Sequence, residues 1–116
     1  MRLAAVKSDL IARGILDERA LMSYATLTGS VAGKTFQNIV AVCFQADHLL
    51  IFRANLDNSL GELLLRCRYQ DLTEFILCRR FLYSYTSFTC QGNSLRFYSY
   101  DKRVFLQGFR DAGLLS

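Results

Sequence analysis

The chain has 116 residues, long enough for one domain with a real core and too short for two. Hydrophobic residues make up 52% and charged residues 21%, which excludes a disordered chain. The net charge of +4 is spread in small clusters such as Arg66 with Arg68, Arg79 with Arg80 and Lys102 with Arg103, so no basic arm exists.

The first element is a helix over about 2–13. Leu3, Val6, Leu10 and Ile11 recur at helical spacing and Gly14 suits the stop. Lys7, Asp9 and Arg13 interrupt the apolar residues, which predicts a short amphipathic helix rather than a signal peptide. Asp17 could cap a second helix. However, Leu21, Ser23, Ala25 and Leu27 alternate with Met22, Tyr24 and Thr26, and this predicts a strand over about 20–28.

The stretch "TLTGSVAGKTFQNIVAVCF" contains Gly33-Lys34-Thr35, the tail of a phosphate-binding loop. That motif needs a glycine five positions before Gly33, with a helix following. Thr28 stands at that position, Gly29 is one residue too close, and the residues after Thr35 are β-branched or aromatic in the main. A loop between two strands is expected, with no nucleotide bound.

"QNIVAVCFQADHLLIFRA" predicts two strands turning near Ala46-Asp47, and "NLDNSLGE" a polar loop. "LLLRCRY" and "LTEFILC" follow as short strands broken at Gln70-Asp71. In "FLYSYTSFTC", Phe81, Tyr83 and Tyr85 alternate in one phase, and Phe88 and Cys90 in the other. A bulge near Thr86-Ser87 is expected to reconcile the two. "QGN" at 91–93 predicts a hairpin turn, with Leu95 and Phe97 on one face of the return strand. Val104, Phe105, Gly108 and Phe109 restore helical spacing, with Asp101 as cap and Gly113 as stop.

Chemistry-bearing groups are few. Cys43, Cys67, Cys78 and Cys90 form no Cys-x-x-Cys pair, and His48 is the single histidine, so neither a metal site nor a cofactor is expected. The cysteines lie in strand-like runs and are expected as reduced, small hydrophobes in a cytoplasmic protein. An enzyme would have to use His48 as its base, beside Asp47 in an apparent turn; no nucleophile motif accompanies it. Tyr83, Tyr85, Phe97, Tyr98 and Tyr100 interleave with Arg96 like a base-stacking platform, but the element order does not match an RNA-recognition fold. Alternating aromatics usually fill a core, so nucleic acid is not the expected partner.

The pattern of a helix, about seven short antiparallel strands and a terminal helix predicts an α+β, mostly β domain built as a sandwich or small barrel. Nearly the whole chain resembles the bacterial pleckstrin-homology-like families, especially the YokE-like and GRAM-like domains. "QADHLLIFRA" is similar to the strand that opens with a Thr-Asp pair and continues "RLLF", with Ala46 and His48 replacing the usual threonine and basic residue. "RYQDLTEFIL" and "FTCQGNSLRFYSYDKRVFLQGFRDAG" resemble the segment "IPYSDITSVE" and the last hairpin with its terminal helix. "VKSDLIARGILDERAL" resembles the leading helix and first strand.

The resemblance implies a bent antiparallel sheet or partly open barrel of about seven strands, capped by the C-terminal helix. It also implies a non-catalytic module that docks a protein partner or its own copy. The alternative is weak binding of an anionic membrane surface or other anion through Lys34, Arg53, Arg79 and Arg80. Lys34 could stand for the lysine of phosphoinositide-binding members. The second strand, though, has no basic residue, and Arg66-Cys67-Arg68 has the right form in a different strand.

Overall fold

The computed structural model describes residues 3–31, 34–55, 60–79 and 84–115. Helix α1 (Leu3–Ala12) precedes strands β1 (Leu21–Val31), β2 (Lys34–Phe44), β3 (His48–Ala54) and β4 (Leu60–Arg68). A single 3-10 turn (Tyr69–Asp71) leads to β5 (Thr73–Arg79), β6 (Ser84–Cys90), β7 (Asn93–Ser99) and helix α2 (Lys102–Asp111). The strands form one antiparallel sheet in the order β4-β3-β2-β1-β7-β6-β5. Among the described residues β4 and β5 have one neighbour each, so the sheet is bent but not closed. This is the α+β, mostly β architecture expected, and it is consistent with a pleckstrin-homology-like fold.

The bend is visible in contacts between strands that are not neighbours. Cys67 of β4 and Cys90 of β6 lie in one buried cluster, and Gln91 Nε2 donates to the Arg66 carbonyl at 3.5 Å. Burial, then the neighbouring Cys90 thiol, raises the Cys67 thiol well above its ordinary range. All four cysteines are free.

Two-residue periodicity sorts the side chains onto two faces. On the inner face, Ala25, Leu27, Val40, Val42, Leu49 and Ile51 pack with Phe88, Leu95 and Phe97 beneath Phe105 and Phe109 of α2. On the outer face, Met22, Ala41, Cys43, Leu50 and Phe52 pack beneath Val6 and Leu10 of α1. Residues 40–44 of β2 and 49–52 of β3 are apolar and buried on both faces, whereas burial alternates along β6 and β7. Burial behind α1 pushes the Cys43 thiol up to about 12.

Both helices end in a Schellman arrangement. In α2, Gly113 N donates to the Arg110 carbonyl and Leu114 N to the Phe109 carbonyl, each at 3.0 Å, with Gly113 at φ 81°. Gly14, at φ 75°, ends α1 in the same way. Asp101 caps α2 by accepting from Arg103 N at 3.0 Å and Val104 N at 3.4 Å.

The strand expected over about 20–28 is β1, and the Asp17 carbonyl before it accepts from Ala20 N in a turn. Two expectations need correction. The segment expected as a polar loop from Asn55 onward already contains the start of β4 at Leu60. No bulge falls at Thr86-Ser87, since Leu77, Thr86 and Phe97 pair in register, as do Ile76, Ser87 and Arg96. The irregularity lies on the partner strand, between Thr73 and Ile76, where Glu74 has φ 56°. Tyr85 keeps simple alternation by standing on the outer face while Phe88 points inward; Phe81 and Tyr83 lie outside the described residues.

Lys34 opens β2, paired with Val31 of β1, so the sequence after Gly33 is strand and not helix. A phosphate-binding loop therefore lacks its helix N-terminus. Calorimetry with ATP or GTP is expected to show no saturable heat. A micromolar site lost on Lys34→Ala would overturn this.

Candidate surface on the outer face of the sheet

Helix α1 covers the outer face over β1, β2 and β3 and the start of β4 at Leu60. Beyond it, cross-strand neighbours build a continuous row across five strands. Ile39 pairs with Thr26, and Thr26 with Tyr98. The Tyr98 ring lies 5.9 Å from the Tyr85 ring, and Tyr85 pairs with Cys78 on β5. A second row runs from Thr28 to Arg96, Ser87 and Ile76.

Arg96 ties the rows together. Its guanidinium carbon stands 4.2 Å above the Tyr85 ring centre, a cation–π contact. A side-chain hydrogen bond to Tyr98, then the charge environment of the tyrosines, raises the guanidinium above its ordinary value. Tyr100 extends the surface: its backbone N donates to the Tyr24 carbonyl at 3.1 Å, and its hydroxyl meets Thr26 Oγ1 at 3.2 Å. Ile39 is 45% exposed, Ile76 54% and Tyr100 60%, the large apolar side chains left most open here. Glu74, held by Thr89 Oγ1 at 3.2 Å, adds a carboxylate at the β5 rim.

This surface was half legible as the aromatic run interleaved with Arg96. Phe97, however, is not part of it. That residue points inward, 1% exposed, and stacks on Phe88 at 5.3 Å. Strand parity alone divides Phe97 from Tyr98.

The basic residues proposed for an anion do not form a described site. Arg53 is exposed on β3 and pairs with Glu62 at 3.6 Å. The side chains of Lys34 and Arg79, and Arg80 entirely, lie outside the described residues.

His48 opens β3 and is largely buried, not a surface turn residue. Its Nδ1 meets Asp47 Oδ1 at 2.5 Å, and this bond, with burial opposing it, holds the Asp47 carboxyl below its ordinary value. The turn is pinned from behind, for Tyr69 N donates to the Asp47 carbonyl at 3.1 Å and Tyr69 Oη to the Gln45 carbonyl at 2.7 Å. Among the described residues no three of His, Cys, Asp and Glu gather as a metal site, and no helix is long and apolar enough to cross a membrane.

No protein-family model matches the chain, and no curated protein matches it.

Proposed function

We propose that this chain is a non-catalytic interaction module of the pleckstrin-homology-like kind, and that it self-associates through the outer face of β1, β7, β6 and β5. The row Ile39–Thr26–Tyr98–Tyr85–Cys78 carries the reading. Aromatic residues with an arginine, on a sheet face that no element of the described chain covers, are the composition of a protein interface. Tyrosines anchored to neighbours lose little side-chain freedom on binding.

Charge favours a second copy as the occupant. The described outward positions of these four strands carry one guanidinium, Arg96, and one carboxylate, Glu74. A two-fold contact between identical faces therefore brings no run of like charges together. The row itself has no ionisable cation or carboxylate, so the contact is expected to survive salt, whereas attraction of scattered Arg and Lys to anionic lipid is screened once the Debye length falls below about 10 Å.

Light scattering is expected to give a dimer or higher oligomer at both low and high salt. The double variant Ile39→Lys, Ile76→Lys places like charges across the contact without touching the core, and is expected to be a monomer with an unchanged melting temperature. A strict monomer of the parent chain at high concentration, still sedimenting with anionic liposomes, would favour the lipid-binding alternative instead.

A further inference from the structure

A second feature shares no residue with the tyrosine surface. Where β1 begins and β2 ends, paired through Leu21 and Phe44, a cavity of about 510 Å³ opens between the α1–β1 connection, the β2–β3 turn and the last turn of α2. Cavities of this size are in the range of small-molecule and side-chain sites.

The cavity has two parts of different chemistry. Leu21, Phe44, Gly108 and Ala112 give it an apolar wall. Asp17 and Glu18 on the connection and Asp111 on α2 are among its lining residues, three acidic residues against the single basic one there, Arg19. Asp111 is oriented by Gln107, whose Nε2 donates to Oδ1 at 2.6 Å. Helix α2 also ends here, and the partial negative charge of its terminal carbonyls adds to the field. Tyr69, in the lining, responds to that field: burial, then the charges of Asp47 and Asp111, raise its hydroxyl above the ordinary range. This negative concavity stands on a chain whose net charge is +4.

The cavity is also built in advance. Gln45 clamps the connection at two points, donating from Nε2 to the Ile15 carbonyl at 2.8 Å and accepting Asp17 N on Oε1 at 3.1 Å. The Tyr69 hydroxyl fixes the Gln45 backbone from the other side. A ligand would find the walls in place and need order little of the chain on binding.

We infer that this cavity binds a cation carried on an apolar stem, an alkylguanidinium or alkylammonium group. The stem lies against Leu21 and Phe44, and the head group lies among Asp17, Glu18 and Asp111. Such a group reaches the protein either as a free amine or as an arginine or lysine side chain of a peptide.

The test is a titration followed by backbone amide NMR. Agmatine is compared with pentanol and pentanoate, which keep a similar stem but carry no positive charge. Agmatine is expected to shift the amides of Gln45, Tyr69, Gly108 and Asp111, pentanol to shift them weakly, and pentanoate not at all. Asp111→Asn and Glu18→Gln should each weaken agmatine about fivefold, as for a partly solvated charge pair, with the melting temperature unchanged. A glycine-flanked arginine peptide separates the sources. Tighter binding than agmatine assigns the cavity to a peptide side chain, and weaker binding assigns it to a free amine. Equal shifts with pentanol and agmatine, no effect of the two variants, or no shift with agmatine would each overturn the inference.

Discussion

Gly108→Ala is expected to destabilise the protein by about 2 kcal/mol, the opposite of the usual result, since removing a glycine from a helix interior ordinarily gains up to about 1 kcal/mol. The reason is the distance between α2 and β2. A Cβ at position 108 would meet the Phe44 ring at 2.5, 2.6 and 2.8 Å, far inside contact distance. The ring stands edge-on to Phe105 at 5.5 Å and to Phe109 at 5.0 Å, so a move away from the helix, toward the cavity it also lines, gives up those contacts. The helix must lift or the ring must leave its rotamer, and overpacking of this kind costs about 1–3 kcal/mol. The melting temperature should fall by about 8 °C. Phe44→Leu in the same chain should recover part of the loss, since the two sites are in contact and their effects couple. A Gly108→Ala protein that melts higher than the parent would mean that α2 does not sit this close.

The role of Gly108 also shows where reading from the sequence ends. Its helical spacing with Phe105 and Phe109 is visible in the chain, and so is the alternation of Leu21, Ser23, Ala25 and Leu27 in β1, because both are local periodicities. The residue that forbids a Cβ at Gly108 is 64 positions away in β2, and nothing local announces it. The same holds for Cys67 and Cys90, brought together only by the bend of the sheet. The cavity draws its walls from segments near residues 17, 45, 69 and 111, and no spacing rule joins them.

The tyrosine surface lies between these cases. Its residue types were readable in the run around Arg96. Which of them point outward depends on register across β1, β6 and β7, and a one-residue slip would have exchanged Phe97 for Tyr98. The misplaced bulge has the same origin. The change of phase in the aromatic run suggests a fault in β6 when read locally, whereas a Tyr can stand outside where a Phe must go in.

Phe109→Ala is expected to have the largest effect of any single truncation, about 3–5 kcal/mol. Phe109 is 1% exposed and is the hub of the aromatic core. Phe44 and Phe75 meet it edge-on, each at 5.0 Å, Phe88 at 6.3 Å, and Phe105 lies one helical turn away at 6.0 Å. The first three of those rings come from β2, β5 and β6, which lie on opposite sides of β1 in the sheet order, so one side chain bridges the two halves of the bent sheet. Truncation removes the transfer energy of a whole ring and leaves a void whose lining is too rigid to close. It also removes the edge-to-face contacts, each contributing about 0.5–1.5 kcal/mol beyond area. A domain with 5–15 kcal/mol of total stability is left marginal by such a loss, so the variant is best measured by its denaturant midpoint. Phe109→Leu, which keeps most of the volume, should cost under half as much and remain folded for comparison. The two costs should rank with the size of the void. Equal midpoints for parent, Leu and Ala proteins would mean that α2 lies free of the sheet, and the capped architecture would fall with it.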